Sequence, residues 1–208
     1  MHTDKFLAGI SAIILIVSAF WYSSIVWSND IQPAVATFIL ATVVLLISEW
    51  TYWSKEGASI LGNIALHAGA INVVLVTVTL LIRRSLDGDF SADFNNFQYV
   101  CMVVSLIILV LWKVTDKHAI GFCLIQAVAL VAYLPTIARV LEAPTQTDSN
   151  VLWLAILLSS LAAVRPAINR FLKNRKDWLG LVYLGRTIPS NFLVVYLIAA
   201  KSFGLPPF

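Results

Sequence analysis

Apolar residues run through this chain in long blocks separated by short polar stretches. A hydrocarbon core of about 30 Å takes about 20 residues of helix to cross. Seven blocks meet or approach that length, predicting spans at about 6–27, 31–53, 60–82, 97–114, 119–141, 151–171 and 178–200. Barrel strands would be half as long and would alternate in polarity, which these blocks do not. The fourth block is the shortest, and Arg165 and Pro166 interrupt the sixth. The expected fold class is all-α, a polytopic membrane protein with seven transmembrane helices.

Composition agrees with that pattern. Sixty per cent hydrophobic residues and 12% charged residues, with a mean hydropathy of +0.87, take the 208 residues out of the soluble class. Lys5 ahead of an apolar run looks like the start of a secretory signal. The run is too long, however, and "SAFWYSSIVW" is too bulky for a cleavage site, so it reads as a retained helix. Cys101 and Cys123 fall inside predicted helices, where a thiol packs as a small apolar group.

Loop charge predicts the orientation. Lys5, Lys55, Lys113, Lys117, Arg165 and the basic run in "RFLKNRKDW" share the N-terminal side of the membrane. Arg83, Arg84, Arg139 and Lys201 lie on the other. The asymmetry predicts a cytoplasmic N-terminus and an external C-terminus, with a bacterial-type plasma (inner) membrane as the expected location.

Several chemistries have no footing in the chain. A net charge of +3 without a basic stripe gives no reason to expect nucleic acid. No Walker loop, HExxH or Ser-His-Asp set occurs, and His2, His67 and His118 fall at a terminus, a helix and a loop. "RRSLDGDFSADFNNFQ" spaces Asp87, Asp89, Ser91 and Asp93 as a calcium loop does. Ala92 stands where glycine should turn the chain and Gln98 where a glutamate should close it, so it reads as a solvated acidic loop. The expectation is a non-enzyme with no cofactor and no metal, its partners being the lipid bilayer and a small-molecule solute.

The third and seventh blocks align without gaps, "INVVLVTVTLL" over "SNFLVVYLIAA". Asn72 then pairs with Asn191 and His67 with Arg186, both at an offset of 119 residues. The first and fifth blocks align at an offset of 112, Phe20–Ile25 over Ala132–Ile137. The simplest scheme is a parallel repeat: a three-helix bundle over 1–85, an acidic loop and linker helix over 86–117, and a second bundle over 118–208.

That three-one-three order, together with "YLPTI" in the fifth block and "IPSN" early in the seventh, resembles the SWEET and PQ-loop (MtN3-type) superfamily of seven-helix transporters. The resemblance covers nearly the whole chain. It implies two parallel three-helix bundles joined by a linker helix, a hinge at Pro135, Asn72 and Asn191 facing the substrate, and a capacity to form a homo-oligomer. The first unit carries Ser23-Ser24 where the family would have Pro-Gln, and the charge-derived orientation is the reverse of that usual for SWEET proteins. Both departures mark a remote member. The implied function is a membrane carrier for a small polar solute, sugar-like or amino-acid-like, working by alternating access. The alternative is a non-transporting receptor or assembly protein of the same fold.

The candidate site follows from polar groups in apolar spans. The Asn72 and Asn191 amides each offer donors and acceptors to a solute, or serve as ties between helices. Arg186 costs at least about 2.5 kcal/mol in a helix centre. It could anchor a carboxylate or phosphate, or pair with Glu49, the one acid inside a predicted span. Glu49 is also a candidate proton-coupling group, or an interfacial one beside Trp50 and Trp53. His67 is a relay or a packed histidine. Gln126 and Tyr133 share a face of the fifth helix with Pro135 nearby, as substrate-binding candidates beside a hinge or a static bend.

Overall fold

The computed structural model describes residues 2–28, 33, 35–88, 96–134, 137, 150–174 and 177–202. Among them the regular structure is seven α-helices and one 3₁₀ turn. These are α1 His2–Trp27, α2 Val35–Trp53, the turn Ile60–Gly62, α3 Ile64–Leu86, α4 Asn96–Thr115, α5 His118–Val131, α6 Asn150–Lys173 and α7 Leu179–Ser202. All but α5 are long and apolar enough to cross a bilayer. In hydrocarbon every backbone N–H and C=O must be satisfied within the protein, and a helix does this residue by residue. The chain is an all-helical, polytopic integral membrane protein.

Three helices differ from expectation. The fifth, expected over 119–141, ends at Val131 with Ala132 as its C-cap. The third helix begins at Ile64 rather than 60 because Ser59 caps a separate 3₁₀ turn, its hydroxyl accepting from the Gly62 N–H. The sixth helix runs without a break through Pro166. Arg165 sits towards its end, 61% exposed, 3.5 Å from Asp4 of α1, so it does not interrupt the span. Pro135, the expected hinge, lies outside the described residues, as do Asp89, Ser91 and Asp93 of the acidic loop.

Helix α3 packs against both α1 and α2, and α7 packs against both α5 and α6. Across the molecule α1 lies along α6 and α2 along α5, while α4 sits outside against α2 and α5. Small polar residues allow these close approaches. The Ser11 and Ser159 hydroxyls meet at 2.9 Å between α1 and α6, and Thr42 and Thr77 at 2.7 Å between α2 and α3. Phe6, Val17, Phe20, Val103 and Val110 are among the large apolar side chains left on the outside, where lipid would cover them. At the α4–α5 corner the Lys113 ammonium lies 4.3 Å from the Trp50 ring centre, an interfacial pairing of cation and aromatic face.

Candidate functional site

A cavity of about 130 Å³ lies between the helices. Its polar lining comes from Thr37 of α2, Asn72 of α3, Tyr133, Ser160 of α6, and Tyr183, Arg186 and Thr187 of α7, with Trp153 beside them. Tyr183, Arg186 and Thr187 fall at i, i+3 and i+4, which puts them on one face of α7.

Arg186 is held from three sides. Its Nε–H donates to Gln126 Oε1 at 3.2 Å. Its guanidinium carbon lies 5.2 Å from the Tyr183 ring centre and 5.7 Å from that of Tyr133, so two aromatic faces flank the charge. Gln126 is itself fixed, its Nε2 donating to Ser48 Oγ of α2 at 2.9 Å. Glu49 is elsewhere. Its carboxylate meets His67 Nδ1 at 2.8 and 2.9 Å, and no described acid lies within 4.0 Å of Arg186. The expected Glu49–Arg186 pair is therefore replaced by a Glu49–His67 pair. His67 reaches Glu49 because α3 packs directly on α2, whereas Arg186 on α7 turns towards α5.

The amide nitrogens of both asparagines are spent on helix ties, while the Asn191 Oδ1 is buried without a partner among the described residues. Asn72 lines the cavity, but its Nδ2 donates to Leu15 O at 2.7 Å and Ser18 Oγ at 3.0 Å, both on α1. Asn191 is fully buried and does not line the cavity. Its Nδ2 donates to Thr187 O at 2.7 Å and to the Tyr133 hydroxyl at 3.2 Å. The structure therefore joins Asn72, Tyr133 and Arg186 around one space, with Gln126 and Asn191 behind it as supports. His67 and Glu49 instead line a separate lateral groove of about 630 Å³ between α1, α2 and α3.

Sequence reasoning passed over Asp177. This carboxylate is 2% exposed and lies just before α7. Its Oδ1 accepts from the Tyr52 hydroxyl at 2.8 Å, and its Oδ2 accepts from Ser59 Oγ at 2.8 Å and Arg170 Nε at 3.3 Å. Lys55, in the same cluster, stacks its ammonium 5.1 Å from the Trp178 ring centre. Burial pushes the Lys55 amine below its ordinary range, and the Asp177 charge partly offsets that. Glycines let the backbone close in: a Cβ on Gly180 would collide with the Gly62 carbonyl oxygen, and one on Gly62 with the Asp177 carboxylate. The cluster thus binds the α2–α3 link to the α6–α7 link on the N-terminal side. The available signal was an acid placed between a basic run and an apolar span, "RKDWLG". Trp153 and Tyr183 were also missed, although Tyr183 precedes Arg186 by three residues on the same helix face.

Fold and cavity together define a polytopic helical membrane protein with an interior space lined mainly by apolar side chains, in which Arg186 is the one cation among the described residues. Compared with family models, curated proteins and solved structures, the chain matches none.

Proposed function

We propose that the chain is a carrier for a small polar solute, built as two parallel three-helix units joined by α4 and remotely related to the SWEET and PQ-loop transporters. In this reading α1–α3 form one unit and α5–α7 the other. The packing of α3 on α1 and α2 has its counterpart in that of α7 on α5 and α6, and α1 against α6 has its counterpart in α2 against α5. The solute occupies the cavity bounded by Asn72, Tyr133 and Arg186.

The observation that carries the proposal is the Asp177 cluster. It joins what this reading takes as corresponding links of the two units, and we take it as the closure on the N-terminal side. None of its residues lines the cavity, whose lining extends to Thr37, Leu152 and Trp153 at the opposite ends of their helices. An interior space holding one charged side chain, with a compact hydrogen-bonded cluster towards one end of the helices, suits alternating access. The N-terminus is placed in the cytoplasm of a bacterial-type cell on the loop-charge bias.

The test uses protein reconstituted in liposomes, with Cys101 and Cys123 replaced and cysteines at positions 52 and 177. Counterflow is followed with a panel of radiolabelled sugars, amino acids and small carboxylates. Bridging the two cysteines with a short bifunctional thiol reagent should arrest flux that the unbridged protein supports. Undiminished flux after bridging removes the alternating-access reading. Saturable binding without flux for any member of the panel favours the receptor.

A further inference from the structure

We infer that the cavity selects a small monoanionic carboxylate carrying no positive group, with Arg186 as its anchor. This rests on the carrier reading and narrows the solute class that the reading left open.

The argument begins with charge. Among the described residues, Arg186 is the one ionisable cation lining the cavity, and no Asp or Glu lines it. The nearest acids in function are committed elsewhere, Glu49 to His67 and Asp177 to Tyr52, Ser59 and Arg170. A guanidinium carries five N–H donors. Its Nε–H is spent on Gln126, and the two tyrosine rings offer only their faces. The Nη donors, which form the fork that a carboxylate meets with two parallel bonds, have no hydrogen-bond partner among the described residues. An unpaired charge among membrane helices is held at a cost that an anionic ligand would relieve.

The remaining lining sharpens the class. Trp153 Nε1–H, a donor only, is buried with no partner among the described residues. Among the described lining groups without a partner, the Arg186 Nη atoms and Trp153 Nε1 donate, the Thr187 hydroxyl donates or accepts and the Asn72 Oδ1 accepts, so the charged and most numerous ones suit a solute with an anionic acceptor. A zwitterion or amine would need an anion to receive its ammonium, and the described lining supplies none. One unit of positive charge also matches a carboxylate better than a phosphate dianion. Cavities of about 150 Å³ take a benzene-sized guest of about six non-hydrogen atoms, and the space here is about 130 Å³. A short hydroxy- or oxo-monocarboxylate has that size, and the hydroxyls of Ser160 and Thr187 lie on the lining to meet its second polar group.

The test compares lactate, lactamide, alanine and inorganic phosphate on the purified wild-type protein, by quenching of tryptophan emission and by equilibrium dialysis. Lactate should bind at least tenfold more tightly than lactamide, its uncharged counterpart of equal size, and than alanine or phosphate. Equal binding of lactate and lactamide, or a preference for alanine or phosphate, overturns the inference and needs no variant to do so. Arg186→Gln should cost lactate tenfold or more in affinity and lactamide clearly less, and Arg186→Lys should recover part of the lactate affinity. Retained lactate affinity in Arg186→Gln overturns the anchor. Failure of the carrier reading is distinct: Arg186-dependent lactate binding without movement of lactate into liposomes leaves the anion site standing and removes transport.

Discussion

The Tyr52 hydroxyl donates a 2.8 Å hydrogen bond to Asp177, a residue 125 positions further along the chain. Both side chains are buried, and the pair joins two links that no local contact would bring together. Asp177→Asn removes the charge that Tyr52, Ser59 and Arg170 share. Hydrogen bonds to a charged group contribute about 1.5–3 kcal/mol each, so Asp177→Asn should lower Tm by several degrees, with Tyr52→Phe smaller in the same direction. A cysteine at Gly69, on the cavity lining, should also react faster with a water-soluble maleimide in the Asp177→Asn background. Unaltered labelling would show that the cluster does not control access.

Gly180 and Gly185 stand five residues apart on α7 and should respond oppositely. A methyl on Gly180 meets the Gly62 carbonyl oxygen, while one on Gly185 meets nothing within 4 Å. Overpacking against backbone costs about 1–3 kcal/mol, so Gly180→Ala should reduce thermal stability clearly. Gly185→Ala removes only conformational freedom of the unfolded chain and should leave stability unchanged or raise it by up to about 1 kcal/mol. Thermal unfolding in detergent separates the two.

His67 holds Glu49 at 2.8 Å and stacks on Trp53 with ring centres 5.0 Å apart. His67→Ala leaves the carboxyl without that partner and should cost about 1–3 kcal/mol. Arg186 takes no part in the pair, so Glu49→Gln and Arg186→Gln should be additive to within about 0.5 kcal/mol. A double-mutant cycle on denaturation midpoints measures this, and strong coupling between positions 49 and 186 would restore the ion pair that the sequence suggested.

Lys55 gives a prediction in pH. Its amine is depressed by burial and partly raised again by Asp177, so removing that charge depresses it further. In Asp177→Asn the neutral amine is then present at lower pH, and acetylation of Lys55 should accelerate at pH 8–9, below the ordinary lysine range of about 10.4. In the wild type the unfolded chain binds the proton more tightly. This group therefore adds stability as pH rises from its folded value towards the ordinary lysine range. An unchanged acetylation rate, followed by mass spectrometry, would separate Lys55 from the cluster.

Much of the membrane architecture was legible because it depends on one local quantity, apolar run length. The spans at 97–114 and 151–171 reappear as α4 and α6 within a few residues. Arg186 stood out for the same reason, as a charge inside an apolar run. Its partners did not, because they depend on which helix packs beside which: Glu49 is the acid in a span, yet α3 lies on α2 and delivers His67 to it first. The asparagines were found as a matched pair, but only packing could reveal that both amides reach to neighbouring helix elements.

Sequence alone determined the apolar runs that become the long helices, six of them long enough to cross a bilayer, and the presence of a cation that lipid would not tolerate. These follow from transfer energies that act residue by residue. Tertiary structure decided which polar groups satisfy one another and which are left over. It brought Asp177 to Tyr52 and Glu49 to His67, and left Arg186 facing a cavity between two tyrosine rings. Hydrogen-bond partnership depends on the positions of whole helices, and helix packing is settled by contacts distant in the chain.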